Sequence, residues 1–585
     1  MQIFDTIIRN GLIVDGTGAA AFYGDVGVLN GKVAAVGNLR SEQARVMIDA
    51  AGKIIAPGHV TQHSHYDAAI FWDPYLSNSG ENGVTTVTNA NCGFGFAPVR
   101  PADRERTMAM METTEQIPVR HQRAAMPWDW ETFPDYLATL RRIPKGVNIM
   151  TYLPLNPLLI YVMGVEAAKS RAPTSDEMKV IHRLINEGMD AGAIGISMSV
   201  MGAEGNSHVD FDGTPMPTDS MSPKVAVEIA RAVADRGEGV IQLLSQIAFY
   251  GDRSVTEKIA VMAKGSGARV IHNIFLTSDV MPDMVKNDLA WLDDLRARGL
   301  DVTSGTLLYR GWIETTVRDL DTAAGQLFSV RKIINCRDDA EIMELVTDSN
   351  YRAEFVREYA ETGPSNGAGG FEQQVVIDVG ATPSLKPYLG RTLGDIAAEL
   401  GQNVVEVLLD LASKSSLALQ LKSAPIAARA PQQALELMRH AGVAVGVSDG
   451  GAHTKAFAFG HYGTDLLIWL VRDEKLMTLE EAHFQLSLKA AQTLQLRDRG
   501  AIVPGFWADL IVYDLDALHI DLERMEIVHD MPEGDWRRRV KAGGYQLVMV
   551  NGVVTHEQGV TTGETPGRLV RVTRDRAMDL PVAAE

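Results

Sequence analysis

The chain opens on short runs rich in β-branched and apolar residues, cut by glycines: FDTIIRNGLIVDG, GDVGVLNGKVAAVG and RVMIDAAGKIIAPG. Asn-Gly pairs at 10–11 and 30–31 mark tight hairpins, because both central positions of such a turn need positive φ. These runs predict a small antiparallel sheet. The same texture returns near the other end in ADLIVYDLD and YQLVMVNGVVTHEQG, with an Asn-Gly at 551–552. Neither half has enough strands to bury a face alone, so residues 1–57 and 500–585 are expected to share one small β-domain with a C-terminal tail.

Between them, apolar runs alternate with amphipathic helical segments, as βα units of a parallel sheet do. Eight strands are read: IIAPGHVTQH, VTTVTNANC, VNIMTYLPLN, AIGISMSV, GVIQLLSQ, ARVIHNIFL, LDVTSGTLL and VAVGVSD. Helices at 175–191, 223–236, 254–266 and 431–441 lie between them. Eight repeats point to an α/β fold with a closed (β/α)8 TIM-like barrel over 58–499. Two stretches break the rhythm, 100–133 and 310–375, the second holding GPSNGAGG. They are expected as insertions over the barrel mouth, the second helping to select substrate.

Composition narrows the function. A net charge of −19 across 585 residues argues against nucleic-acid binding, which needs clustered Lys and Arg. No run of roughly 20 apolar residues appears, and the first residues lack a basic region followed by an apolar one, so a cytoplasmic enzyme with no membrane partner is expected. Only Cys92 and Cys336 are present, which excludes a disulfide framework.

Candidate chemistry sits at the strand ends. His63 and His65 alternate on the first barrel strand, so both imidazoles face one side, where they can share a metal ion. A chance pair of surface histidines also reads this way, but catalytic groups of such barrels lie at the C-terminal ends of strands. Asp449, in Val447-Ser448-Asp449-Gly450-Gly451, ends the eighth strand, which a barrel closes onto the first. It could therefore reach both the metal and the attacking water, although Asp-Gly is also an ordinary turn pair.

The combination of GKIIAPGHVTQHSHYD, VTTVTNANCGFGFAP, VSDGGAH and DRGAIVPGFWADLIVYD resembles the amidohydrolase superfamily, and within it the D-aminoacylase (N-acyl-D-amino-acid deacylase) group. The resemblance runs nearly end to end. It implies a β-sandwich beside the barrel and a metal-ligand role for the cysteine of the NCG motif, here Cys92, whose thiolate suits zinc. It also implies a histidine on strand five and another on strand six. Strand five instead carries Gln242, a poor zinc ligand, and strand six offers His272, a candidate ligand or hydrogen-bonding group. Strand four has no Lys to bridge two metals.

The expectation is thus one divalent cation per chain rather than two, with zinc favoured, held by His63, His65, Cys92, Asp449 and His272. Asp449 serves as the general base. Gln242, Arg253, Arg310, His453 and His461 are second-tier substrate contacts, and surface ion pairing is the plainer role for either arginine. The substrate expected is a small molecule, an N-acyl (D-)amino acid or related amide. A lactone, a cyclic imide, an aryl amide or a C–C bond, or a metal-free non-catalytic homologue, remains as the alternative. A homo-oligomer is expected.

Overall fold

The computed structural model of the protein describes residues 3–203, 209–247, 250–277, 283–320, 327–334, 336–362, 370–425 and 430–572. Residues 363–369 of GPSNGAGG and the tail 573–585 lie outside the described residues.

The fold is mixed α/β. Strands His59–Thr61, Val84–Asn89 and Asn148–Thr151 form one parallel sheet. Leu153–Pro154, Gly195–Ser199, Val240–Leu244, Arg269–Phe275, Val302–Thr306 and Val443–Val445 form a second. Every pairing in both is parallel and follows chain order. Only Tyr152 separates Thr151 from Leu153. At the other end, the amides of Gln62 and His63 donate to the Gly446 carbonyl, and the Ser448 amide donates to the His63 carbonyl. These strands are buried on both faces, so runs such as VIQLL lack the strict apolar–polar alternation of a half-exposed sheet.

The helices between them carry explicit start and stop signals. Thr174 caps Ser175–Ala191 in a capping box with Glu177, and Ile181, Ile185, Gly188 and Met189 form its buried stripe. Pro223–Arg236 starts at the Ser222 cap and stops at Gly237 in the left-handed region.

The two chain ends meet in one nine-stranded sheet, in which Ile54–Pro57 pairs antiparallel with Leu510–Tyr513. Asn30-Gly31 and Asn551-Gly552 are tight turns with both residues at positive φ. Asn10-Gly11 is not a hairpin turn. It sits inside strand Phe4–Ile13, where the pairing with Phe22–Leu29 shifts between Ile8 and Gly11, so its positive φ serves a β-bulge. The sheet is also not purely antiparallel, since Ala44–Asp49 and Ile54–Pro57 both run parallel to Phe4–Ile13. The run IIAPGHVTQH is split at Gly58: its first half joins this sheet and its second half the parallel one. A side chain at Gly58 would strike Thr85 at 2.2 Å.

The excursion between strands seven and eight runs past residue 375. Glu314–Thr315 and Val375–Val379 both pair with Leu419–Lys422, and helices including Ser349–Thr362 and Val404–Lys414 close over a separate apolar core around Leu320, Phe355 and Leu408. The apolar stripe of Val404–Lys414 is spent on this core, not on the parallel strands, which is why it falls inside the excursion.

A second excursion, between strands Leu510–Tyr513 and Tyr545–Val550, lays the hairpin Glu526–Val528/Arg537–Arg539 against the loop after Val443–Val445. The Arg538 amide donates to the Thr454 carbonyl and its Nε to the Lys455 carbonyl. Its guanidinium meets Glu314 at 2.9 Å, with both side chains at most 1% exposed. The Trp312 indole N–H and the Met525 amide donate to the other Glu314 oxygen. Glu314→Ala would strand a buried guanidinium, so it is expected to cost about 3–5 kcal/mol of stability, measured by chemical denaturation. A loss below about 1 kcal/mol would mean that water reaches Arg538.

Candidate metal centre

His63 and His65 follow strand His59–Thr61, where a bridge between His63 and Val447 ties the first and last parallel strands. Alternation sends both rings inward. They are 4% and 5% exposed, and their Nε2 atoms are 3.2 Å apart. Cys92 lies in the turn after Val84–Asn89, and both it and Ala90 are held at positive φ, a strained setting that side chains rarely adopt. Gln242 Oε1 accepts the Cys92 amide at 2.8 Å, and Ser197 Oγ accepts the Gly93 amide at 3.0 Å. This brings the Cys92 Sγ to 3.5 Å from His63 Nε2.

Asp449 is also at positive φ. Its Oδ1 lies 3.4 Å from His63 Nε2 and 3.7 Å from His65 Nε2, and its side chain stays 35% exposed where the histidines are closed off. The turn that aims it depends on Gly451, at φ 95°, where a Cβ would meet the His65 carbonyl oxygen at 2.5 Å.

Electrostatics divide these groups. Burial pushes His63 down to about 4 against the pull of Asp449. Burial also works against a charged His65, but the carboxylates of Glu115, Asp449 and Asp67 outweigh it and raise that imidazole to about 9. Burial would raise Asp449, yet its contact with His65 and the charge of His63 hold it down at about 2, so it is ionised. Burial, with Glu115 and Asp449 nearby, pushes the Cys92 thiol well up. A cation at this point would reverse that preference and make the thiolate.

The ligand atoms of His63, His65 and Cys92 all lie within 4.8 Å of one another. Two imidazoles, a thiol and an adjacent carboxylate are a donor set that suits zinc. Asn273 completes the surroundings of His63: its Nδ2 lies 2.7 Å from His63 Nδ1, while its Oδ1 has no partner among the described residues. A half-turn of that amide presents Oδ1 to an Nδ1–H, the tautomer that leaves Nε2 for a metal.

The other expected site residues are placed differently. His272 turns away from this cluster: its Nδ1 lies 3.0 Å from Thr256 Oγ1, and its ring packs on Trp291 and Phe275. It does not join this cluster, because successive residues of a strand face opposite sides and Asn273 takes the inward position. Arg253 belongs to the same outer layer, bonded to Asp288 at 3.0 Å and Gln246 at 2.6 Å and stacked over Trp291. Arg310 forks onto Asp465 at 3.0 and 2.7 Å. Both guanidiniums are thus engaged within the protein.

Gln242 faces inward but holds the Cys92 turn, as described. His453 lies near Asp449; its amide donates to the Glu115 carbonyl, and burial lowers its imidazole to about 4. His461 is buried edge-on against Tyr309, with ring centroids 5.3 Å apart. Two residues enter that the sequence reading did not single out, Asn273 and Glu115. Asn273 is the inward partner in an adjacent polar pair. Glu115 ends helix Arg104–Glu115, and nothing local in ETTEQ marks it.

The amidohydrolase family matches residues 46–556. An uncharacterised protein of Mycobacterium tuberculosis is 26% identical over 591 residues, covering 96% of this chain and 93% of its own. A D-aminoacylase of Alcaligenes xylosoxydans xylosoxydans is 24% identical over 591 residues, covering 98% of each. Among solved structures, an N-acyl-D-glutamate deacylase from Bordetella bronchiseptica, complexed with zinc and a phosphonate mimic of the tetrahedral intermediate, superposes with a TM-score of 0.65. It is 23% identical and covers 97% of this chain and 100% of its own.

Proposed function

The chain belongs to the amidohydrolase family and resembles its D-aminoacylase group, and from that membership we propose that it is a metal-dependent hydrolase of a C–N amide bond, with an N-acyl-D-amino acid or related amide as substrate. The observation that carries this reading is the convergence of His63, His65 and Cys92 beside the half-open, ionised Asp449.

His63, His65, Cys92 and Asp449 would hold one zinc ion. When bound, such a cation polarises a carbonyl and acidifies water. Asp449 accepts the proton of the attacking water and passes it to the leaving nitrogen, the role its partly open, ionised carboxylate allows. Gln242 keeps the Cys92 turn in place, and Asn273 orients His63. Because amides occupy these two inward positions, they supply no imidazoles for a second cation, and one per chain is favoured. We read the parallel strands as a closed (β/α)8 barrel, a reading supported by the His63–Val447 bridge.

One observation favours a second reading, an uncharged amide, imide or lactone as substrate: Arg253 and Arg310 are committed to Asp288 and Asp465, so neither is free to meet a substrate carboxylate. One screen separates the two. The purified protein is expected to hold about one divalent cation per chain, lose turnover on chelation, regain it with zinc, and hydrolyse an N-acyl-D-amino acid. Turnover confined to esters, lactones or aryl amides would move the substrate to the second reading. A metal content near two would overturn the single cation, and full turnover after complete chelation would overturn the metal chemistry.

A further inference from the structure

Helix Arg104–Glu115 lies in the segment that interrupts the alternation of strands and helices, yet it ends inside the metal centre. Three contacts fix it. Arg106 is ion-paired with the buried Asp210, Arg104 donates to the Trp130 carbonyl at 3.0 Å, and Gln122 donates back to the Met108 carbonyl at 3.0 Å. At its C-terminus, Glu115 is 2% exposed, and its backbone carbonyl accepts the His453 amide at 2.8 Å. Its Oε1 is 3.4 Å from His65 Nδ1, and neither atom has a hydrogen-bond partner among the described residues.

A buried carboxylate oxygen and a buried imidazole nitrogen do not stay unpartnered without a reason, since each loses its water on folding. The remaining geometry supplies one. His65 Nε2 faces His63 and Asp449, the side on which the donors converge, so its Nδ1 faces away. An imidazole offers a lone pair at Nε2 while keeping a proton at Nδ1 only in one tautomer, and a carboxylate at Nδ1 selects that tautomer and raises the basicity of Nε2.

We propose that Glu115 is a positioning residue of the metal centre: its carboxylate accepts the Nδ1 proton of His65 and fixes that ring for a cation at Nε2. This rests on the proposed metal reading and extends it. Asn273 serves the corresponding nitrogen of His63 from a strand, whereas Glu115 reaches His65 from a helix outside the strand framework. The affinity of the site therefore depends on how that helix is seated.

The test measures zinc affinity by competition with a chelator, together with the melting temperature of the chelated protein, for the wild-type chain, Glu115→Leu, Glu115→Gln and His65→Ala. Glu115→Leu is expected to weaken zinc binding by about 10–100-fold. The melting temperature of its chelated form reports separately what the Glu115–His65 contact contributes to the fold without the metal. Glu115→Gln keeps an acceptor oxygen without the charge and should weaken binding less; being isosteric, it also carries the test if the leucine variant does not fold.

Wild-type zinc affinity in every folded Glu115 variant overturns the proposal. So does a drop in melting temperature with unchanged affinity, the signature of a merely structural role. Sensitivity to His65→Ala with indifference to Glu115 defeats this proposal alone, whereas indifference to His65→Ala defeats the metal reading beneath it as well.

Discussion

Asp449→Asn is expected to lower turnover by about 10²–10⁴-fold while the protein stays folded and keeps its metal. Asparagine has nearly the same shape and still presents an oxygen toward His63 and His65, which lie 3.4 and 3.7 Å from the aspartate Oδ1. What it loses is a proton acceptor. Asp449 is also the one member of the cluster whose side chain remains partly open, 35% exposed against 6% for the two histidines, so it is the group a water and a substrate can reach. If Asp449 merely shaped the turn before Gly450, the variant would lose some stability and keep near-normal turnover. Steady-state kinetics on metal-analysed protein separate the outcomes. A folded, metal-loaded, fully active Asp449→Asn enzyme would reassign the proton transfer. His272 could not take it over, because its ring points to Thr256 and Trp291 on the far side of the strand.

His65→Ala is expected to lose metal and turnover together. Its zinc affinity should fall by more than the ~100-fold that bounds the effect of an outer orienting group. His65 Nε2 is one of the two nitrogens that meet 3.2 Å apart, and removing it leaves only a thiol, a single imidazole and the Asp449 carboxylate to hold the ion. The same substitution removes the one imidazole that three carboxylates pull up to about 9, so the metal-free variant leaves Glu115 and Asp67 buried without a cationic partner. Elemental analysis after dialysis, read beside turnover, checks this. A variant that retains stoichiometric metal would show that the ion sits elsewhere. His63→Ala should behave alike, and the contrast with Asp449→Asn, which spares the metal, distinguishes holding the ion from moving the proton.

How much of this could be read from the residues follows from what kind of signal each one leaves. Alternation along a strand suffices to pair His63 with His65, and the ends of the first and eighth strands are adjacent in any βα series that returns on itself, which is how Asp449 comes beside them. Strand five has one polar residue in VIQLL, so Gln242 has to face inward. Strand six has two in succession, His272 and Asn273, and alternation says only that one of them faces in. The imidazole was the natural choice and the amide took the position. Glu115 is invisible to this reasoning because it comes from a helix, so its approach to His65 depends on tertiary packing through Arg106 and Asp210. The excursion past residue 375 was hidden for a related reason: the apolar stripe of Val404–Lys414 does not state which core it packs on. Asn10-Gly11 shows the reverse ambiguity, since an Asn-Gly pair that makes a hairpin elsewhere here makes a bulge, with only Asn10 at positive φ.

The shared sheet of the two chain ends has a consequence in time. Ile54–Pro57 takes its antiparallel neighbour from Leu510–Tyr513, and roughly 450 residues of chain separate them. At about 5–20 residues per second, a ribosome needs on the order of 20–90 s to deliver that partner. Throughout that interval one edge of the first sheet is open while the parallel strands downstream are being assembled. An open edge invites pairing with another chain. Nascent copies of this protein should therefore be most vulnerable to clumping before Leu510 emerges, and chains ended early by a stop codon near residue 500 should aggregate even though every residue of the metal centre has already been made.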